Sequence, residues 1–542
     1  MNLLLRNRQL AVFLCLACVL APPQIKVFAQ LSSADDQKTE SPDLPPAVHK
    51  GNGSVEEKSV VKVFSTVRYP DLYKPWLKQA PTELSGSGVV IEGRRILSNA
   101  HLVLYASQVQ IQGDQAGDKL TATVEAMAPG IDLAVLKLDD GTFFDSHPPL
   151  PRAKVMPDVQ DPVLVYGFPT GGSSISVTKG IVSRIEFAPY SYSVGGLRIQ
   201  IDAAVNHGNG GGPAVAGGKM IGLAFSFLGG TQNIGYIIPC EEIELFLQSI
   251  ADGHYHGKPV LLDQCQTLEN AALRSFLNVD PATRGIVVHR PYSDEPEYPL
   301  KQWDVITAIG DSPVDDQGLV KGEGNLRVFF KYMVQKVARN GKVPLTVWRK
   351  GKEIHVEVPV RSDRHMLIPA LESAYPDFFI CGPLVFSSAT ADYLVGFAKG
   401  TYGGTMMATL VESGTPMLNR YGEEPAFEGE RLVLVSSPFF PNKLTKGYSN
   451  PSSSVVKTVN SIHVKNLRHL VEILRDSKEK YITIEFGNRG GETLVFPRTE
   501  LMAATDDILA DNGIRLQGSP DILSVWNAKP TDKDAQNGKS GH

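Results

Sequence analysis

The chain has 542 residues, 42% of them hydrophobic and 20% charged, the balance of a globular protein able to bury a core. At roughly 150 residues per domain that length suggests three or four domains. Against 58 Asp and Glu stand 53 Lys and Arg, a net charge of −5 with no basic block, so a nucleic-acid partner has no electrostatic support. Fifty Gly and 37 Pro favour many short strands and turns over a helical protein.

Residues 1–29 read as an export signal. Arg6 and Arg8 precede an apolar run from Leu10 to Ala21, and Val27-Phe28-Ala29 is a small-x-small cleavage site. The run is about 12 residues, whereas a membrane span needs about 20. Cleavage is therefore favoured over an anchor, with a periplasmic or secreted destination and no membrane span afterwards. Three cysteines then remain, Cys240, Cys265 and Cys381, enough for at most one internal disulfide. No CxxC or His-x-x-His pair marks a metal site, and no cofactor is expected.

Residues 30–54, rich in Ser, Asp, Pro and Gly, read as a flexible linker. From 55 to 256 the texture is short apolar or alternating runs separated by turns: 60–67, 87–91, 96–98, 120–128, 133–138, 163–166, 175–185, 197–201, 220–225 and 234–239. Such a series predicts a β-sandwich or barrel. A helix over 241–251 closes it, with Ile243, Phe246, Leu247 and Ile250 on one face. Residues 260–362 form a second unit with strands at 285–289 and 305–309, a helix at about 326–339, and strands at 343–349 and 353–359. A third, 365–516, ends similarly: a helix near 467–477, strands at 481–486 and 493–497, and a helix near 500–512. Helix, strand, turn, strand is thus a weak internal repeat. Residues 517–542 are mostly polar and read as a disordered tail.

Three segments of the first unit carry chemistry. Ser98-Asn99-Ala100-His101 follows a strand, Asp132 opens the strand 133–138, and Gly208-Asn209-Gly210-Gly211-Gly212-Pro213 is a glycine-rich turn. His, then Asp, then a glycine-rich turn is the chain order of a chymotrypsin-type triad. There an imidazole takes the proton of a serine hydroxyl, a carboxylate orients the imidazole, and backbone N–H groups receive the oxyanion.

On these residues, and on "GSGVVIEGRRILSNAHLV", "DLAVLKL", "IQIDAAVNHGNGGGP" and "NIGYIIP", residues 60–515 resemble the DegP/HtrA serine proteases with C-terminal PDZ domains. The stretch from His365 onward, with "NLRHLVEIL" and "YITIEF", is more similar to the plant-organelle Deg type. The resemblance implies a mostly β fold: a chymotrypsin-like double β-barrel followed by two PDZ-like α+β domains. It also implies His101 and Asp132 as triad members and an oxyanion turn at Gly208, Asn209 and Gly210. The family's turn reads Gly-Asn-Ser-Gly-Gly, and here Gly210 stands in the serine's place. His207 stands where many members carry proline. Glycine cannot form an acyl-enzyme. In subtilisin, loss of the serine costs about 10⁶ in kcat, or ~8 kcal/mol of barrier. Ser173, Ser174 and Ser176, in the preceding loop, are the candidates for a substitute nucleophile.

The leading expectation is a protein of extracytoplasmic quality control, catalytically impaired, that binds unfolded or extended polypeptides as a chaperone-like or scaffold protein and assembles as a homo-oligomer. The alternatives are an active serine endopeptidase and a regulatory subunit of active paralogues. Strand addition to a PDZ sheet is the expected binding mode, with 270–278 at the groove's edge. The third unit is assigned to assembly. Tyr69, Tyr73 and Trp76 are expected either at a subunit contact or packed on their own barrel. The segment 224–227 is largely apolar and predicts a pocket for an apolar side chain.

Overall fold

The computed structural model describes residues 54–528 apart from 114–116, 170–171, 173, 191–193, 228–233, 323–325, 363 and 400–402. The expected signal (1–29), nearly all of the linker (30–54) and Ser173 lie outside the described residues. The described chain divides into two compact units, one built from 54–67 and 83–362, the other from 68–82 and 364–528.

In the first unit, β1 (Val60–Val67), β2 (Thr82–Ile91), β3 (Arg95–Ser98), β4 (Ala106–Gln112), β5 (Leu120–Ala128) and β6 (Leu133–Leu138) close a barrel in the order β1-β2-β3-β6-β5-β4. A second barrel follows, of β7 (Pro162–Gly167), β8 (Ser176–Pro189), β9 (Gly195–Ile201), β10 (Pro213–Ala216), β11 (Lys219–Phe227) and β12 (Gly235–Pro239), in the order β10-β11-β12-β9-β8-β7. Alternation along the strands explains both cores. In β6, Ala134 and Leu136 fill the first barrel with Val63, Ile96 and Ile111. Its neighbours Leu133 and Val135 face the other way, into a core shared with Leu223 and Ile238 of the second barrel. The helix Cys240–Ser249 buries Ile243 and Phe246 on that same core.

The region after the barrels carries the sheet β13 (Gln264–Thr267), β14 (Ile286–Arg290), β15 (Val305–Ile309), β19 (Lys342–Arg349) and β20 (Lys352–Pro359), with β16 (Ser312–Pro313) paired to β15. β17 (Leu319–Lys321) and β18 (Arg327–Phe329) form a separate hairpin. The helix expected over 326–339 is therefore mostly something else. Its start is β18, Phe330–Met333 is a 3₁₀ turn, and only Val334–Val337 is α-helical. A run of Val328, Phe329 and Phe330 suits a strand better than a helix, and Val328 pairs with Val320 across the hairpin. Lys258, in the connection to this region, makes a 2.7 Å ion pair with Glu242 of the closing helix.

The second unit has the sheet β21 (Phe378–Cys381), β22 (Leu384–Ser388), β23 (Val433–Val435) and a sheet of β24 (Val456–Val459), β25 (Ile462–His463), β26 (Tyr481–Phe486) and β27 (Leu494–Pro497), in the order β25-β24-β26-β27. The helix Leu467–Asp476 drives Leu470, Val471 and Leu474 into a core with Phe379, Phe386, Ile482, Ile484 and Phe496. Two expectations change here. The tail does not begin at 517: Pro520–Trp526 is a helix whose Ile522 and Val525 are buried and whose Trp526 packs on Phe379. Residues 529–542 lie outside the described residues. The aromatic stretch at 68–82 belongs to this second unit and packs within it. Trp76 lies against Phe378 and Phe440, with ring centroids 6.2 and 5.7 Å away, and Tyr73 stands 5.6 Å from Tyr393.

Candidate active site

His101 lies on the single helical turn Ala100–Val103 that directly follows β3. Asp132 sits in the left-handed region (φ 56°), between the 3₁₀ turn Pro129–Ile131 and β6. Asp is one of the few residue types enriched there. The β3–β6 pairing sets Ser98 opposite Ala134 and so brings the two segments together. Asp132 holds the histidine at two levels. Its Oδ1 accepts from the His101 backbone N–H at 2.9 Å, and its Oδ2 and Oδ1 lie 2.8 and 3.0 Å from Nδ1. Burial disfavours the imidazolium, but the hydrogen bond to Asp132 and its charge outweigh this and hold the pKa above the usual 6.5. The His101 side chain is half exposed and Asp132 is largely enclosed, at 51% and 13%.

The glycine turn faces this pair. Gly208 and Gly211 have φ of 96° and 84°, and a β-carbon on Gly211 would lie 2.0 Å from the Ser87 carbonyl oxygen. Glycine is required at 211. Gly210 is different: φ lies outside the left-handed region, and a β-carbon would meet Asn99 Oδ1 at 3.1 Å, His101 Cε1 at 3.7 Å and Nε2 at 3.8 Å. A side chain built at 210 would thus start within 4 Å of the imidazole.

Ser87 fixes the turn. Its Oγ donates to the Gly208 carbonyl and accepts from Phe168 N–H, both at 2.8 Å, while its own N–H donates to Gly210 O at 2.9 Å. Gly211 N–H donates to Ala224 O at 2.8 Å. The N–H groups of Gly208 and Gly210 have no acceptor among the described residues. Asn209 is fully buried, with neither side-chain amide atom hydrogen-bonded.

A cleft of about 640 Å³ opens on the turn, lined by His101, Asp132, His207, Gly208 and Gly210 and by apolar groups that include Leu104, Val205 and Phe225. Of the segment 224–227, Phe225 lines the cleft, and the side chains of Ser226 and Phe227 lie outside those described. Among the described residues the lining contains no Ser, Thr or Cys. The hydroxyl of Tyr190 in that lining donates to the Leu197 carbonyl. Among the described residues no hydroxyl reaches His101 Nε2, and Ser174 and Ser176 do not line the cleft. The three described cysteines are free thiols; burial pushes Cys240 and Cys381 up to about 12 and Cys265 to about 11.

The sequence reading gave no role to two residues of this site, Asn99 and Ser87, although both lie within its quoted motifs. Asn99 is fully buried and donates its Nδ2 to the Asp132 carbonyl at 3.1 Å. Asn at a strand-to-helix junction signals a cap, yet this side chain makes no cap hydrogen bond.

Residues 86–223 match the trypsin-like peptidase domain, and residues 369–521 match the PDZ domain. The chloroplastic protease Do-like 2 of Arabidopsis thaliana is 33% identical over 93% of this chain and 82% of its own. The putative mitochondrial protease Do-like 3 of the same plant is 32% identical over 82% of this chain and 80% of its own. A serine protease DegP homologue of Plasmodium falciparum is 26% identical over 78% of this chain and 59% of its own. The chain belongs to the Deg/HtrA family of trypsin-like serine proteases with PDZ domains. The Arabidopsis relatives are named for organelles, so a periplasmic or secreted destination finds no support in them.

Proposed function

We propose that this Deg/HtrA protein is a pseudoprotease that binds unfolded or extended polypeptide. One observation carries the reading. A β-carbon at Gly210 would stand 3.8 Å from His101 Nε2, and among the described residues that line the cleft there is no Ser, Thr or Cys to replace a serine. General-base and oxyanion groups without a nucleophile leave only a small fraction of a protease's rate. The triad roles of His101 and Asp132, and the oxyanion role of Gly208, Asn209 and Gly210, are part of this proposal.

Polypeptide binding needs no nucleophile. β13 is an edge strand that pairs with β14 alone, the arrangement to which an extended peptide adds by main-chain hydrogen bonds. The family's homo-oligomeric assembly is proposed with it. Residues 1–29 are read as a targeting segment, and the relatives' names make an organelle the destination to test by fractionation.

The deciding experiment incubates the full chain with denatured casein and, separately, with a fluorophosphonate probe. Expected are retention of casein in a pull-down, no fragments and no covalent label. Fragments that vanish in His101→Ala would establish an active endopeptidase instead.

A further inference from the structure

We propose that the space beside Gly210 is a water site, and that His101 activates this water for direct hydrolysis of activated esters, with no acyl-enzyme. The inference rests on the reading of Gly210 as the lost nucleophile's position.

Asn99 carries the argument. It is wholly buried, and its Oδ1 has no hydrogen-bond partner among the described residues. The amide orientation is fixed, because the other end donates to a carbonyl, which can only accept. That unpaired oxygen lies 3.1 Å from where a β-carbon at 210 would stand, and His101 Nε2 lies 3.8 Å from the same point. Both are acceptors when the imidazole is neutral with its proton on Nδ1, the tautomer that Asp132 enforces. A water between them has two hydrogens to give, one to each. A buried acceptor left unpaired is costly, so the site favours a donor.

The same position borders the cleft that Gly208 and Gly210 line, and the N–H groups of these two glycines lack acceptors among the described residues. An ester carbonyl seated there meets the water oxygen. His101 Nε2 takes a proton from the water as its oxygen bonds to the carbonyl carbon, and the C=O electron pair moves to the oxygen facing those N–H groups. Collapse restores the carbonyl and expels the alkoxide or phenolate. The imidazolium then returns its proton to that leaving oxygen or to solvent. Water and ester become acid and alcohol. General-base assistance supplies about 10²–10⁴-fold, enough to be seen with a phenolate leaving group and far too little for a peptide amine.

The test uses the purified full chain with p-nitrophenyl acetate. Expected is hydrolysis above buffer, linear from the first turnover, that rises with pH as a group above 6.5 loses its proton. It should be slowed about two-fold in D₂O and indifferent to prior fluorophosphonate treatment. His101→Ala, checked for its fold by circular dichroism, should lose at least 10-fold. An equal rate in His101→Ala, or none above buffer in the folded wild type, overturns the water site while leaving the pseudoprotease reading intact. A burst of one phenolate per chain, or fluorophosphonate labelling, overturns both.

Discussion

Lys258 and Glu242 form an ion pair enclosed almost completely, with 7% and 1% of their side chains exposed. Glu242 also accepts the Leu197 N–H at 2.7 Å, so a barrel strand, the closing helix and the connection beyond it meet at one carboxylate. Removing one member of such a pair leaves an uncompensated buried charge. Lys258→Ala should cost about 3–5 kcal/mol, read as a lower urea midpoint. Lys258→Met with Glu242→Leu should recover part of the loss.

The raised pKa of His101 has a defined sign. Its folded value lies above the unfolded one, so the Asp132 contact stabilises the fold fully below pH 6.5 and ceases to as pH rises through the folded pKa. In Asp132→Asn, the His101 ring proton followed by NMR should titrate lower than in the wild type. The stability difference between the two proteins should shrink as pH rises from 6.5 through the folded pKa. An unchanged titration would detach Asp132 from the imidazole.

Gly210→Ser should restore weak proteolysis. The serine β-carbon fits except for the 3.1 Å contact with Asn99 Oδ1, which must yield by a few tenths of an ångström. Casein cleavage at least 10³-fold above the parent is expected, against about 10⁶ for an intact triad. It should disappear on His101→Ala. If Gly210→Ser alone is inert, adding His207→Pro tests whether the approach to the turn is too loose. Failure of both variants would show that His101 and Asp132 are not arranged for catalysis.

Trp76 should matter far from its place in the sequence. Full burial of a Trp makes its loss worth 3–5 kcal/mol; Trp76 is partly exposed, and Trp76→Ala should cost about 2 kcal/mol. The loss should appear as earlier melting of the unit that contains 364–528, with the barrel transition unmoved.

His101, Asp132 and Gly210, which the structure brings together, were legible because each lies in a short local motif beside a strand. The barrel was legible where alternation is apolar against polar. β4 escaped because its alternation is short: only Val109 and Ile111 are buried, one on each side of Gln110. β10 escaped because Pro213–Ala216 is only four residues long. The 326–339 helix was misjudged because apolar residues at helical spacing also fit a strand followed by a tight turn. Asn99 was invisible for another reason: its partners are the Asp132 carbonyl and the space beside residue 210, and neither is near in sequence. The docking of 68–82 is likewise a long-range choice that no local pattern records.

That docking has a consequence for synthesis. The segment 68–82 leaves the ribosome between the first two barrel strands, yet its partners are made much later. Tyr375 donates to the Arg68 carbonyl across 307 residues of chain. At 5–20 residues per second the wait is roughly 15–60 s. Through that interval Trp76 and Tyr73 are exposed on a nascent chain whose barrel can already close around them. The second unit therefore cannot finish folding from its own late-emerging residues, and a chaperone that shields aromatic segments has its longest opportunity here.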